Sequence, residues 1–255
     1  MTGIERTGAP ARKQRRATKG GSPPPTKRTT VRSAKTRALV GGTTGRKNMR
    51  AADREKVILE SAIRFFAEHG FEGQTRELAK RIGITHSAIY RHFPSKEALV
   101  ERVYEHVYLG SWQKHWPDIV RDRSVPLQQR LTRFYCEYAN KIFNYEWVRI
   151  FIFAGLKSFG INQRYLKKVM DEIGLPTLLE VRNQLGLSSK IPVTAWEKEL
   201  FWGMHGHVFY IALRKFVYGM PTPEGDSRDA LIANCVSQFL LGCELLMRKQ
   251  FSPER

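Results

Sequence analysis

Residues 75–96 read TRELAKRIGITHSAIYRHFPSK, and the rest of the chain is organised around this stretch. Leu78, Ala79 and Ile82 recur at the spacing of one apolar helix face. Gly83 follows with the permissive backbone that the end of a helix often needs. The first half of the stretch therefore predicts a short helix that ends in a tight turn at Gly83.

A second short helix is predicted directly after this turn. Thr85 is a good N-cap, and Ile84 can pack on Ile89 as a hydrophobic staple. Ile89 and Phe93 lie four residues apart and point inward. The outer face and its rim carry His86, Ser87, Ala88, Tyr90, Arg91 and His92. A helix in the major groove reads bases with its N-terminal residues, so the two helices predict a DNA-binding helix-turn-helix.

Lys96 occupies the first turn of a further helix, which is predicted to begin near Pro94 and Ser95. A cation is unfavourable there because it opposes the helix dipole. A phosphate bound between the helix N-terminus and the lysine would remove that conflict. The alternative is that Lys96 is a solvated surface charge.

The region from Glu55 to Leu99 closely resembles the N-terminal domain of TetR-family transcriptional repressors. It contains AIRFFAEHGFEGQTRELAKRIGITHSAIYRHFPSKEAL, with FFAEHGF, RIGIT and YRHFPSKEAL in the family's order. It departs between Phe71 and Leu78, where the family usually has one more residue and two hydroxyl residues before a β-branched one. Gln74-Thr75-Arg76 stands in that place.

The resemblance implies a set of DNA-contacting residues in this region. The set comprises Thr75, Arg76, Thr85, His86, Ser87, Ala88, Tyr90, Arg91, His92 and Lys96. Bases are expected near His86, Ser87, Ala88, Tyr90 and Arg91. Phosphates are expected near Thr75, Tyr90, His92 and Lys96.

The positive charge of the chain is concentrated at its start. The 255 residues carry a net charge of +19, and residues 1–50 contain fourteen Lys or Arg and one acid, Glu5. This segment has no aromatic and few large apolar residues, so it is predicted to be disordered. It is interpreted as a basic arm that adds salt-dependent affinity for the DNA backbone. The alternatives are an unused solvated tail, a misassigned translation start, or a targeting segment without an apolar signal region.

Amphipathic spacing predicts a supporting helix that opens near Asp53 and ends at Gly70. Its apolar stripe comprises Ile58, Leu59, Ala62, Ile63, Phe65 and Phe66. After Pro94, a connecting helix is expected to run without interruption to about His115, where Pro117 stops it. In the resembled family, this helix links the DNA-reading domain to a larger C-terminal domain.

The remaining chain predicts helix after helix and no sheet, so the fold class is all-α. The expected helices span about 126–144, 146–158, 162–185, 193–218 and 226–249, with Gly174 and Pro176 kinking or splitting the third. The expected domains are a basic tail at 1–50, a helix-turn-helix domain at 51–94, a connecting helix at 95–116 and a helical C-terminal domain at 117–255. No uninterrupted apolar stretch approaches twenty residues, so no membrane span is expected.

Aromatic residues in the C-terminal part are either ordinary core or the wall of an apolar pocket. The candidate pocket residues are Tyr135, Tyr138, Trp147, Phe151, Trp202, Phe209 and Tyr210. The resemblance favours the pocket, because TetR-like repressors usually hold a small molecule there whose binding reduces DNA affinity. Arg149, Lys157 and Arg214 are candidates to meet an acidic ligand or are surface charges.

The last two predicted helices carry small and apolar residues suited to self-association. The interface candidates are Gly203, Gly206, Leu213, Phe239, Leu240 and Leu246. This resembles the paired helices by which the family forms a dimer through a four-helix bundle. A two-fold dimer would place two recognition helices on one face of the DNA and predicts a palindromic operator.

The sequence offers little support for an enzyme. His205 and His207 are two apart on a predicted helix and point about 200° away from each other, which argues against a shared metal. Cys136, Cys235 and Cys243 lack metal-ligand spacing and suit a reducing cytosol. No catalytic motif is evident, and no catalytic residue, metal or cofactor is expected.

Two binding functions are therefore consistent with the sequence. The first is a homodimeric, sequence-specific regulator in the bacterial cytoplasm, associated with the nucleoid when bound and released from its operator by a small apolar or aromatic ligand. The second is a largely non-specific DNA-compacting protein whose basic tail does most of the binding. The sequence does not distinguish a repressor from an activator.

Overall fold

The computed structural model describes residues 51–157 and 160–251, and every regular element within them is helical, which confirms the all-α class. In chain order the helices are α1 (Ala51–His69), α2 (Thr75–Arg81), α3 (His86–His92), α4 (Lys96–Tyr104), α5 (Trp116–Arg121), α6 (Leu127–Ile142), α7 (Tyr145–Lys157), α8 (Ile161–Val169), α9 (Leu175–Gln184), α10 (Ala195–Phe216) and α11 (Gly225–Phe251). The basic tail predicted at residues 1–50 lies outside the described residues.

Helix α1 supports α2 and α3, as predicted. All six residues of its predicted apolar stripe are buried, and Phe65 and Phe66 have no exposed surface. The helix ends at Gly70, whose φ of 68° is costly for any residue with a Cβ. Amphipathic spacing therefore identified both the buried face and the end of α1.

The connecting helix differs from the prediction. Helix α4 continues only through a π-helical turn, Glu105–Leu109, and the amide of Gly110 closes this turn on the Glu105 carbonyl at 2.9 Å. A Cβ at Gly110 would lie 2.4 Å from the His106 carbonyl oxygen, so a side chain would not fit there. The expected continuous helix to His115 is therefore wrong.

Pro117 begins a helix instead of stopping one. It lies in the first turn of α5, where the missing N–H has no intrahelical partner to lose and the fixed φ suits a helix. This helix buries Trp116, Ile119 and Val120. Pro117 was expected to end a helix because the residues before it were predicted to be helical.

The later helices agree with the prediction to within a few residues. The exception is the span 162–185, which forms α8, a π-helical turn at Met170–Gly174, and α9. This is the split expected near Gly174 and Pro176. A Cβ at Gly174 would lie 2.7 Å from the Met170 sulfur and 2.9 Å from the Phe201 ring, so glycine allows close packing against α10.

One described helix, α11, is long and apolar enough to cross a membrane by length and composition alone. The core helix of a soluble protein passes the same test, so this is weak evidence for a span. Six residues of α11, including Ile232, Val236 and Met247, are buried inside the protein.

Candidate DNA-binding site

Helix α3 is held by the turn that the sequence predicted. Gly83 adopts a φ of 69°, and the Thr85 hydroxyl caps α3 by accepting a hydrogen bond from the Ala88 amide at 3.2 Å. Ile89 and Phe93 are buried in the core. These contacts fix the orientation of a helix only seven residues long.

The opposite face of α3 meets solvent. Thr85, Ser87 and Arg91 are exposed, and His86, Tyr90 and His92 are partly exposed. Ala88 is the exception, because it is only 5% exposed and packs inward beside Ile89. Its side chain belongs to the buried face, and the expected position of Ala88 near bases stays a prediction.

Thr75, at the start of α2, contacts two side chains of α3. Its side chain is only 7% exposed, and its Oγ1 lies 2.8 Å from His86 Nε2 and 3.0 Å from the Tyr90 hydroxyl. The His86 and Tyr90 rings meet edge to face at 4.9 Å. Thr75 therefore holds two residues of α3, and its expected contact with a phosphate stays a prediction.

Lys96 is the first residue of α4, as predicted. Ser95 caps this helix by accepting a hydrogen bond from the Ala98 amide at 3.1 Å. Lys96 Nζ donates to the carbonyl of Gly73 at 3.3 Å, which joins α4 to the loop before α2. Arg76, the other expected basic contact, is exposed on α2.

Two supporting residues were missed by the sequence reasoning. A Cβ at Gly73 would lie 2.4 Å from the Phe65 ring, so only glycine fits without displacing that ring. Arg81 at the end of α2 pairs with Glu68 at 2.6 Å and lies over the Phe65 ring. Neither contact has a local sequence signal, because each joins residues eight or more positions apart.

Helix α7 contacts the end of α1 and the loop that follows. Arg149 Nε donates to the Ala67 carbonyl at 2.7 Å. Phe153 lies against Gly70, where an added Cβ would come within 3.0 Å of the ring. The carboxylate of Glu72 pairs with Lys157, and this hydrogen bond lowers the pKa of Glu72. Arg149 and Lys157 therefore take part in contacts within the chain.

The predicted pocket residues mostly form an aromatic cluster. Tyr135, Tyr138 and Trp147 are buried, and Trp147 stacks on Phe151 at 5.1 Å and meets Phe209 edge to face at 5.9 Å. The rings thus fill the space between α6, α7 and α10. Trp202 is partly exposed beside His205, and Tyr210 is 47% exposed, so Tyr210 is not part of a wall around the buried rings.

Five buried side-chain polar atoms in the C-terminal part have no hydrogen-bond partner among the described residues. They are Nε1 of Trp116, Nε of Arg130, Nε1 of Trp147, Oγ1 of Thr177 and Nε of Arg214. An unpaired buried donor costs about 1–3 kcal/mol. Both indoles pack among aromatic rings, Trp116 against Phe134 and Tyr138, and Trp147 against Tyr108 and Phe209.

The dimer-interface candidates divide into two groups. Gly203 and Gly206 are exposed on α10, and a Cβ at either position would meet no heavy atom within 4 Å. Leu246 is exposed on α11, whereas Leu213 and Leu240 are partly buried against the core. Phe239 is only 8% exposed and packs mostly inside its own protomer, and its place in an interface stays a prediction.

His205 and His207 lie in different surroundings, as their spacing predicted. His205 is buried, with Nδ1 3.4 Å from the Tyr135 hydroxyl, and burial lowers its pKa to about 4. His207 is exposed. Across residues 51–157 and 160–251, no group of three or more His, Cys, Asp or Glu residues is arranged to hold a metal ion.

Helices α1 to α3 form a three-helix unit in which α3, the second helix of a helix-turn-helix, is capped and has an exposed face. This arrangement defines a DNA-binding module of the helix-turn-helix class. Residues 58–103 match the family model described as bacterial regulatory proteins, tetR family. The match covers the DNA-binding unit, so residues 58–103 are similar to the DNA-binding domain of that family.

Curated relatives match through the same region. The chain is 47% identical over 53 residues to the HTH-type transcriptional repressor AcnR of Corynebacterium diphtheriae, which is 20% of this chain and 28% of that protein. It is 39% identical over 57 residues to the uncharacterized HTH-type transcriptional regulator YuxN of Bacillus subtilis, which is 22% of this chain and 20% of that protein. The match therefore spans less than a third of either relative.

Solved structures of TetR-family transcriptional regulators share the fold over more of the chain. One from Pseudomonas syringae pv. tomato has a TM-score of 0.51 at 17% identity and covers 75% of this chain and 96% of its own. One from Streptomyces coelicolor has a TM-score of 0.51 at 16% identity and covers 79% of this chain and 86% of its own. The similarity extends the shared fold into the C-terminal helices.

Proposed function

We propose that the protein is a homodimeric transcriptional repressor that binds a palindromic operator and is released by a small apolar or aromatic ligand. The observation that carries the proposal is the exposed polar face of α3, held rigidly by the Thr85 cap and by Thr75. A rigid recognition helix favours sequence-specific binding, because base contacts require fixed side-chain positions.

In this proposal, the exposed N-terminal part of α3 enters the major groove. Ser87 and Arg91 contact base edges together with His86, and Arg91 is suited to a guanine because it can donate two hydrogen bonds. Phosphates lie near Tyr90, His92 and Lys96. Thr85 and Arg76 lie at the edge of the same surface.

The dimer is proposed to form through α10 and α11. Leu241 and Leu245 are 67% and 72% exposed on α11, beside the exposed glycines of α10. Between these helices is a groove of about 300 Å³ lined in part by Gly203 and Gly242. Apolar side chains and open glycines allow the helices of two protomers to approach closely.

The ligand is proposed to enter the aromatic cluster and signal through α7. One face of α7 places Trp147 and Phe151 in the cluster, and another places Arg149 and Phe153 against the end of α1. A ligand that separates the rings would therefore shift the helix that holds the DNA-binding unit. Residues 51–94 would bind DNA, and the helices after residue 117 would bind the ligand and the partner.

Selection of binding sites from random duplex DNA tests the proposal. The full chain and a chain beginning at Asn48, the start of the compact unit, would be compared at several salt concentrations. The expected result is the same enriched palindrome for both chains. Arg91→Ala is the matched variant and is expected to weaken or alter the motif, because it removes a base-reading side chain and leaves the buried face intact.

Absence of a motif for both chains would contradict the proposal. If retention on DNA were then lost steeply with salt and only after removal of residues 1–47, the non-specific alternative would stand instead. Expression of a reporter placed downstream of a selected operator would distinguish repression from activation. Microscopy of the labelled protein would test the expected cytoplasmic, nucleoid-associated location.

A further inference from the structure

We propose that Thr75, His86 and Tyr90 form a hydrogen-bond relay that determines which base His86 prefers to contact. This inference rests on the proposed function and adds to it a specificity-determining role for a buried residue. Thr75 Oγ1 lies within hydrogen-bond distance of both other side chains, at 2.8 Å and 3.0 Å. The positioning residue is Thr75, which is 7% exposed and lies between the two other side chains.

Thr75 has one hydrogen to donate and can accept two hydrogen bonds, so the relay can run in two directions, and in a third arrangement both His86 and Tyr90 donate to Thr75. In the first, His86 Nε2–H donates to Thr75, and Thr75 donates to the oxygen of Tyr90. In the second, Tyr90 donates to Thr75, and Thr75 donates to the unprotonated Nε2 of His86. The neutral imidazole carries its proton on Nε2 in the first direction and on Nδ1 in the second.

DNA selects between these directions. A phosphate oxygen only accepts hydrogen bonds, so Tyr90 must direct its O–H outward to bind one. Its hydrogen is then unavailable to Thr75, and the first direction is the one that keeps both internal hydrogen bonds. The Nδ1 atom of His86 is left as an acceptor, and it has no other hydrogen bond among residues 51–157 and 160–251.

An acceptor at this position favours one chemical class of base edge. His86 is the first residue of α3, where side chains of a recognition helix reach bases. In the major groove, the amino groups at adenine N6 and cytosine N4 are donors, whereas guanine and thymine present acceptors. The relay therefore predicts adenine or cytosine at the base facing His86, on the contacted strand.

Site selection on full-length variants tests the relay. It would be run at pH 8.5, above the range in which imidazoles ordinarily gain a proton. His86→Ala identifies the half-site position that depends on His86, and the unchanged chain is expected to prefer adenine or cytosine there. Thr75→Val, which keeps the shape of the side chain, and Tyr90→Phe are each expected to reduce that preference about fivefold, the value of one hydrogen bond.

Two further variants separate the relay from a merely structural role. Thr75→Ser keeps the hydroxyl and is expected to keep the preference, and the double variant Thr75→Val with Tyr90→Phe should lose no more of it than either single variant. Arg91→Ala should lower affinity without changing the preference at the position that depends on His86. Circular dichroism and thermal unfolding would verify that each variant is folded.

The outcomes distinguish the relay from the proposed function. If the unchanged chain selects no motif, the proposed function fails. If it selects a motif, but Thr75→Val keeps the same preference at the position of His86, or that position is guanine or thymine, the relay is overturned and the DNA-binding function stands. A motif that His86→Ala leaves unchanged at every position also overturns the relay.

Discussion

The Nε–H of Arg149 on α7 donates to the main-chain carbonyl of Ala67, 2.7 Å away, in the last turn of α1. The same guanidinium lies over the rings of Tyr145 and Phe153, at 5.1 and 5.3 Å from their centroids. A cation at this point is favourable, because the C-terminal end of a helix carries partial negative charge. The contact joins residues 82 positions apart and connects the C-terminal helices to the DNA-binding unit.

Arg149→Ala is expected to lower the free energy of unfolding by about 1–2 kcal/mol, because a charge-assisted hydrogen bond and two cation–π contacts are lost. Urea unfolding at fixed protein concentration measures this change. Arg149→Lys keeps the charge and should recover part of the loss. If α7 transmits the signal, Arg149→Ala should also weaken the effect of ligand on operator binding.

Arg164 provides a matched control for Arg149. It holds the Glu101 carboxylate through two hydrogen bonds of 2.8 Å and lies over the Tyr104 ring, but it contacts α4 instead of α1. Arg164→Ala should therefore lower stability without the same loss of ligand response. Equal loss of the response in both variants would contradict a specific role for α7 and Ala67.

Leu245→Arg is expected to convert the proposed dimer to a monomer, because the interface would bury an unpaired charge at a cost of about 3 kcal/mol or more. Sedimentation velocity at micromolar protein gives the oligomeric state. Leu156→Arg is the control, since Leu156 is 73% exposed on α7, close to the 72% of Leu245. A monomeric unchanged chain, or a dimer that tolerates Leu245→Arg, would refute this interface.

Acidification is expected to destabilise the protein through His205. Burial lowers the pKa of His205 from 6.5 to about 4, so between these values the unfolded chain binds a proton that the folded chain does not. Stability is therefore fully present above the unfolded value and falls as pH decreases towards 4. The loss at pH 5 relative to pH 7 is about 2 kcal/mol.

Urea unfolding at pH 7 and pH 5 checks this effect with two variants. His205→Gln should reduce the pH dependence by about 2 kcal/mol, because the group that titrates is removed. His207→Gln removes an exposed histidine of the same helix and serves as the control for replacing an imidazole. Equal pH dependence in His205→Gln and the unchanged chain would show that other groups cause the loss of stability at low pH.

Lys96→Met is expected to weaken operator binding nearly uniformly across DNA sequences, because a phosphate contact carries no base information. The slope of log affinity against log salt should become shallower by about one for each protomer. Lys167→Met is the control, since Lys167 is an exposed lysine of α8 paired with Asp171 at 2.6 Å. A salt slope that Lys96→Met leaves unchanged would argue that Lys96 serves only its contact with Gly73.

The local features of this chain follow from its sequence. The Thr85 cap, the turn at Gly83 and the apolar stripe of α1 are set by residues within one or two helical turns of each other, so spacing and residue type suffice to predict them. The order of helices follows for the same reason. The family resemblance of Glu55–Leu99 depends on the same local pattern.

Other features depend on contacts between distant residues, and only the tertiary structure decided them. Thr75 turns its hydroxyl towards residues 11 and 15 positions away, and Phe239 packs into its own protomer. The connecting helix ends in a π-helical turn at Glu105–Leu109, and Pro117 starts a helix whose face is buried by the C-terminal core. Local propensity favours several conformations at such positions, and long-range packing selects one of them because it buries the larger apolar surface.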